Sequence, residues 1–394
     1  MRDEITTYLN QFDLDIRKTH DARFMDQKCT PDVVCFIADC IVNTIQPNQS
    51  FVVNDIWNSQ YFIKNTRVIF NKPWATDSKA RSEYDKFIQQ PLRMLGYAQV
   101  LEVTKQGNQN HYRIKNEDIL DYIAQRERNT YNFLYCYFEK VLTDSGFWQY
   151  FLEYKNRPNK NTFNELKKRY TRFIIGNTAI NGAVEVHRIF PKILNVFAVE
   201  NQLYGSERGY ISKYIFTFSD LMYNRKNWRD LNKDKTITRQ EVEVGTIDIV
   251  QQEAYNAYYV KKAINLIKKI QRESEVRDQW SNGEATQVHH IFPKALFPEI
   301  AHYVENLIKL TATQHYTKAH PNNKTQEINQ DYQLTCLLAK ADTIDRSLLH
   351  VGEKYYRKES FIYVCNIGLS VNIEISLSFA DLKNRLIQIY NNAT

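Results

Sequence analysis

The chain has 394 residues, of which 43% are hydrophobic and 25% are charged, a balance that is ordinary for a globular protein and excludes a disordered or collagen-like chain. The length predicts two or three domains, and 11 Gly and 9 Pro leave little room for low-complexity linkers. The net charge of +7 is compatible with a polyanionic partner but does not by itself indicate one.

The first residues and the cysteines bear on location. The stretch MRDEITTYLNQFDLD is charged and contains no apolar signal segment. No apolar run approaches the roughly 18 residues of a membrane span. The cysteines form no CxxC pair, a pattern typical of buried thiols in a reducing compartment. We therefore expect a cytoplasmic protein with no membrane partner.

The N-terminal part predicts helices followed by a hairpin. Apolar residues repeat at helical spacing in 31–44 and 82–97, where Gly96 is a natural stop and Pro91 indicates a kink or a later start. AQVLEVTKQGNQNHYRI then predicts two strands, and NEDILDYIAQRER predicts a helix. This order resembles a winged helix-turn-helix domain over residues 30–125, a fold that commonly places the helix before its hairpin in the DNA major groove. The alternative is an α+β domain that contacts no DNA.

The central part predicts helices over 127–175 and then a segment, 210–230, in which basic and aromatic residues alternate. Cations neutralise phosphates and aromatic rings pack on sugars or bases, so the pattern favours nucleic-acid binding over a solvated basic face. The segment 254–270 predicts an amphipathic helix. The basic residues of the alternating segment are Lys213, Arg225, Lys226 and Arg229, and its aromatic residues are Tyr214, Tyr223 and Trp228.

Two heptads of the chain are nearly identical: VHRIFPK at 186–192 and VHHIFPK at 288–294. In the second, a short β-favouring run carries His289 and His290 and ends at a proline. A loop leads to Asn306, and TATQHYTKAH then predicts the start of a helix carrying His315. Strand, loop and helix would bring these side chains within reach of one another. Phosphodiester hydrolysis needs a divalent ion and a base that activates water.

The order HHIFP, NLIKL, then His315 nine residues after Asn306 resembles the HNH (ββα-metal) nuclease family. The resemblance implies that His289 and His315 hold one divalent ion, with Mg²⁺ as the expected metal. It implies that His290 is the general base and that Asn306 braces the loop so that His290 faces the phosphate. Lys294 and Lys318 are candidate phosphate contacts; exposed lysines without a role are the alternative.

The chain departs from the family pattern in two ways. Cysteines that flank the last helix in many members are replaced here by Thr311 and Gln314, so no structural zinc is expected. The first metal ligand is a histidine where a carboxylate is common, and two imidazoles make a softer site that can broaden tolerance towards Mn²⁺, Ni²⁺ or Zn²⁺.

The first heptad lacks these features. Arg188 occupies the position of the base and cannot accept a proton at neutral pH, and the residue nine positions past Asn201 is Tyr210. The segment is either a decayed duplicate or the start of an unrelated helix, RIFPKILNVFAVENQL. We favour the helix, with Arg188 facing DNA or packing against acids.

Together these features predict an α+β protein with a winged-helix-like domain at 1–127, a helical, basic and aromatic recognition region at 128–250, and an HNH catalytic domain at 251–394. The preferred function is a metal-dependent endonuclease that cuts double-stranded DNA at a specific sequence, like a type II restriction enzyme, and acts as a homodimer. Alternatives are a nicking, homing or modification-dependent endonuclease, a winged-helix regulator with a vestigial nuclease, and an RNA or small-molecule hydrolase.

Overall fold

The computed structural model describes residues 1–70, 72–77, 81–223, 249–319 and 329–393. The chain divides into two compact units, Arg2–Val244 and Gly245–Thr394. Each contains helices and small antiparallel hairpins, and helices predominate, which confirms the α+β class. Within the described ranges, no helix combines the length and apolar character needed to cross a membrane. All cysteines are buried, as predicted.

The described part of the first unit contains eleven α-helices and two hairpins. The helices are α1 (Arg2–Leu9), α2 (Ile16–Thr19), α3 (Pro31–Thr44), α4 (Val53–Trp57), α5 (Gln60–Phe70), α6 (Arg81–Tyr97), α7 (Glu117–Gln125), α8 (Glu127–Asp144), α9 (Trp148–Asn156), α10 (Lys160–Asn177) and α11 (Ala183–Glu200). The strands are β1 (Leu101–Gln106), β2 (Gln109–Ile114), β3 (Tyr204–Glu207) and β4 (Tyr210–Ile215).

Helix α3 lies at the centre of the first unit. It begins at Pro31, as predicted, because proline at the first helical position costs no hydrogen bond. Its residues are buried from Pro31 to Ile41, and it packs against α6, α7 and α8. Helix α7 ends at Gln125 and α8 begins at Glu127, and both contact α3. The predicted boundary at 127/128 therefore falls in the first turn of α8, among helices that share one core.

Helix α6 runs through Pro91 without a later start. The predicted alternative of a later start is therefore wrong. Proline removes one helical hydrogen bond, and the burial of Phe87, Ile88 and Leu92 offsets that loss. Gly96 does not end the helix, which continues to Tyr97. A side chain at Gly96 would overlap that of Val103 on β1, so the glycine allows the hairpin to approach the helix.

The first heptad is helical. Residues 186–192 lie within α11, whose N-cap is Gly182. Val186, Ile189 and Phe190 are buried, whereas His187 and Arg188 are exposed. The helical spacing of the apolar residues explains why the heptad is helical. It favours the interpretation of an unrelated helix over that of a decayed duplicate.

The second unit contains four described α-helices and one hairpin. These are α12 (Ile249–Ile270), β5 (Gln287–His290), β6 (Leu307–Leu310), α13 (Gln330–Val351), α14 (Lys358–Leu369) and α15 (Phe379–Ala393). A short π-helix, Gln314–Ala319, follows β6. One hydrophobic core joins β6 to α12, α13, α14 and α15; its fully buried members include Leu307, Ile308, Leu337 and Phe361.

A partly buried charged cluster includes Glu83 of α6 in the first unit. The ammonium groups of Lys28 and Lys72 both bond the Glu83 carboxylate and the Tyr223 hydroxyl, and the two lysine–tyrosine distances are 2.8 and 2.9 Å. Partial burial raises the pKa of the Glu83 carboxyl, but the hydrogen bonds and charges of the two lysines outweigh it and lower the pKa to about 2.

Replacing Glu83 with Gln should lower the stability of the first unit at pH 7, because two lysines lose their counter-charge. Glu83 has a folded pKa of about 2, below its ordinary value of 4.5. Its contribution is therefore present above pH 4.5 and is lost as the pH falls towards 2. Urea midpoints of wild type and Glu83→Gln should differ at pH 7 and converge on acidification. The control is Glu102→Gln, at an exposed position on β1. If the difference in urea midpoint between wild type and Glu83→Gln does not change with pH, the low pKa assigned to Glu83 is contradicted.

Candidate active site

The second heptad forms the β5 strand and the turn after it. In the antiparallel hairpin, His289 pairs with Ile308 and His290 pairs with Leu307. The strand was predicted to reach Phe292 but ends at His290. It ends there because the Phe292 amide bonds the side chain of Asn306 instead of a strand partner.

Asn306 is fully buried and holds the 292–306 loop closed. Its side-chain oxygen accepts the Phe292 amide at 2.9 Å, and its side-chain nitrogen donates to the carbonyls of Phe292 (3.1 Å) and Ile300 (3.2 Å). Its own carbonyl accepts the Ile291 amide at 2.9 Å. An amide side chain supplies both the acceptor and the two donors that these backbone groups require. Asn306 therefore closes the loop; that this closure directs His290 towards a phosphate stays a prediction.

His289 and His315 lie side by side. His289 is 8% exposed, and its ring centroid is 5.4 Å from that of His315, with the rings at 79°. Two imidazoles that share one ion at nitrogen–metal distances of about 2.1 Å have ring centres no more than about 6.5 Å apart. The observed separation therefore fits a shared ion.

His290 bonds a different part of the loop. Its Nε2 lies 3.1 Å from the Ala301 carbonyl oxygen. A carbonyl can only accept, so Nε2 carries the proton and Nδ1 has the lone pair of a neutral imidazole. Burial lowers the pKa of His290; the bond to Ala301 raises it and the charge of Lys294 lowers it, with a net downward shift. The neutral ring is the form that can accept a proton.

Gln314, where many HNH proteins have a cysteine, is fully buried. Its Oε1 accepts the Ser274 hydroxyl at 2.6 Å and the Thr311 amide at 3.0 Å. Its Nε2 donates to the Val276 carbonyl at 3.0 Å and to Asp278 at 2.9 Å. These bonds fix the residue immediately before His315 and thereby set the start of the π-helix that carries this histidine.

A buried ion pair lies behind the same segment. The Glu275 carboxylate accepts the Lys309 amide of β6 at 2.8 Å and contacts the ammonium of Lys340 at 2.7 Å. Both side chains of the ion pair are at most 1% exposed. Nothing in the spacing of the sequence marked Glu275 or Lys340 as important, because the two residues are 65 positions apart along the chain. The bonds of Gln314 to residues of the 274–278 segment likewise join distant residues.

The two predicted phosphate-contact lysines differ in their surroundings. Lys294 is exposed at the end of the heptad, directly after Pro293. Lys318 lies over the ring of Trp280, with its ammonium 4.9 Å from the ring centroid, a cation–π distance. Trp280 itself is 38% exposed. One cation is therefore held by an aromatic ring beside the His315 helix, and the other extends into solvent.

The predicted DNA contacts of the first unit lie on its surface where they are described. Arg188 is exposed on α11, and Lys213 is exposed on β4. Tyr210 is 74% exposed on the same strand. The remaining predicted contacts, Arg225, Lys226 and Arg229, lie outside the described residues.

Comparison of the chain with protein-family models, with curated proteins and with solved structures found no match. Among the residues that the structure describes, no group of three or more His, Cys, Asp or Glu side chains is arranged to hold a metal ion. His289 and His315 are two adjacent imidazoles and do not form such a group.

Replacing Asn306 with Ala should lower the free energy of unfolding of the second unit by about 2–3 kcal/mol, because three buried backbone groups lose their partner. Asn282→Ala, at an exposed position, should change it by less than about 0.5 kcal/mol. Urea unfolding followed by tryptophan fluorescence measures both. Equal stabilities of the two variants would show that Asn306 does not hold the loop.

Proposed function

We propose that the chain is a metal-dependent endonuclease of the HNH class that hydrolyses phosphodiester bonds in double-stranded DNA. The observation that carries the proposal is the joint placement of His289 beside His315 and of His290 at the end of the same strand, above a loop closed by Asn306. An antiparallel hairpin followed by a helix is also the order of a ββα-metal module.

His289 and His315 would hold one divalent ion, with Mg²⁺ or Mn²⁺ as the working metal. The chemistry that such an ion supplies is neutralisation of phosphate charge and stabilisation of the leaving oxygen. Two protein ligands would leave positions for water and substrate phosphate, and because both are imidazoles the site would also accept metals softer than Mg²⁺. No structural zinc is part of the proposal, since Thr311 and Gln314 occupy the cysteine positions.

His290 acts as the general base. His290 follows His289 directly and is the last residue of β5, where the chain leaves the strand. The Ala301 carbonyl fixes the tautomer, which leaves Nδ1 to take a proton from water. Lowering of the pKa by burial keeps the ring neutral, and therefore basic, at physiological pH. Lys294 and Lys318 contact the phosphates on either side of the scissile bond.

The first unit recognises DNA in this proposal. Helix α6 followed by the β1–β2 hairpin is the order of elements of a winged helix, and the side chains of β1 after Leu101 are exposed. Arg188, Lys213 and the exposed Tyr210 supply charge and aromatic surface. Arg225, Lys226 and Arg229 are proposed as DNA contacts from the sequence alone. A recognition unit joined to a compact nuclease module is the organisation of a type II restriction enzyme.

The chain carries one complete set of proposed catalytic residues, and a double-strand break needs two cuts. We therefore propose that it works as a homodimer on DNA, with each subunit cutting one strand.

Replacing His290 with Ala should slow cleavage of saturating plasmid DNA by at least about 100-fold, because no other group takes the proton. Binding of the same DNA in EDTA should not change. The matched control is His187→Ala, which alters the equivalent histidine of the helical heptad and should cut at the wild-type rate. If His290→Ala cuts within a few-fold of wild type, His290 is not the base.

A further inference from the structure

A cleft of about 560 Å³ lies in the second unit between the 270–277 segment and helix α13. Its volume is within the range of ordinary ligand sites, about 300–1,000 Å³. Such sites are mainly apolar, whereas this cleft is lined largely by polar and charged side chains. A hydrophilic, charged ligand therefore suits it better than an apolar one.

One wall is a single face of α13. Thr343, Arg346, Ser347 and His350 line the cleft, and their spacing of three, four and seven residues places them on the same side of a helix. Each can donate a hydrogen bond. The helix thus presents a row of donors to the cleft.

The opposite wall adds positive charge. Arg272 and Arg277 line it, so that with Arg346 of the facing helix three arginines line the cleft. The carboxylate of Glu273 is bound by Arg277 at 2.6 Å. The other acid of the lining, Glu275, is paired with the buried Lys340 at 2.7 Å. The cleft therefore carries an excess of positive charge, presented by planar forks that suit phosphate oxygens.

The cleft also shares a wall residue with the candidate active site. Ser274 lines the cleft, and its hydroxyl donates to Gln314 at 2.6 Å, next to His315. A ligand in the cleft would thus be anchored on the segment that supports a metal ligand.

We propose that this cleft is a second phosphate-binding site, with Arg272 and Arg346 as its principal contacts. We favour the DNA backbone, away from the scissile bond, as the source of the phosphate; this choice rests on the proposed function. A free phosphate or phosphorylated small molecule has the same chemistry and is the other source.

The test compares three proteins: wild type, the cleft variant Arg272→Ala/Arg346→Ala, and the control variant Lys261→Ala/Arg385→Ala. The control removes the same number of positive charges at exposed positions that do not line the cleft. Binding of a duplex oligonucleotide is measured in EDTA at several salt concentrations, and no cleavage is involved. The cleft variant should bind about tenfold more weakly, and its salt slope should be smaller by about 2, because two phosphate contacts are lost. The control should change much less.

A second arm measures the melting temperature of the same proteins with and without inorganic phosphate. One outcome is that phosphate raises the melting temperature of wild type and the control but not of the cleft variant, while all three bind DNA equally. In that case the cleft is a phosphate-binding site, and its ligand is free phosphate and not the DNA backbone. If neither DNA binding nor phosphate stabilisation differs between the cleft variant and the control, the proposal is overturned. Neither arm uses metal or catalysis. The test of the cleft can therefore succeed even if the protein does not cleave DNA, and it can fail even if the protein does.

Discussion

The candidate site depends on one buried amide. The side chain of Asn306 joins the end of β5 to the loop before β6 through three hydrogen bonds to Phe292 and Ile300. The same loop supplies the Ala301 carbonyl that orients His290. On the far side of the hairpin, β6 leads to the helix that carries His315. Without this closure, His289 and His290 would end a strand with nothing to fix the adjoining turn.

The two heptads show how far local sequence determines structure. VHRIFPK is helical because Gly182 caps it and buried residues continue at helical spacing through Phe197, so that the helix accommodates Pro191. VHHIFPK forms a strand and a turn because β6 pairs with the strand and because the Asn306 side chain bonds the backbone of the turn. The proline does not decide between the two states, since both heptads contain it at the same position. Flanking periodicity predicted both states, as it predicted α3, α6 and the β1–β2 hairpin. The approach of His289 to His315 was predicted from the spacing of one motif.

Other parts of the site could not be predicted, because their partners are brought together only by tertiary packing. In the sequence, Gln314 was notable only because it replaces a cysteine of the family pattern. In the structure, its side chain bonds Ser274, Thr311, Val276 and Asp278 and so fixes the start of the His315 helix. The Glu275–Lys340 pair spans 65 positions, and the arginines of the cleft come from α13 and a loop with no repeating pattern. In each case the sequence shows a polar residue but not what it will contact.

The most direct test of the account is digestion of phage DNA of known sequence by the purified protein, with Mg²⁺ or with EDTA. We predict discrete fragments with Mg²⁺ and intact DNA with EDTA; the fragment sizes would also give the recognition sequence. DNA that is bound and shifted on a gel, yet stays intact with Mg²⁺, Mn²⁺, Ni²⁺ and Zn²⁺ in turn, would contradict the account and indicate a DNA-binding regulator.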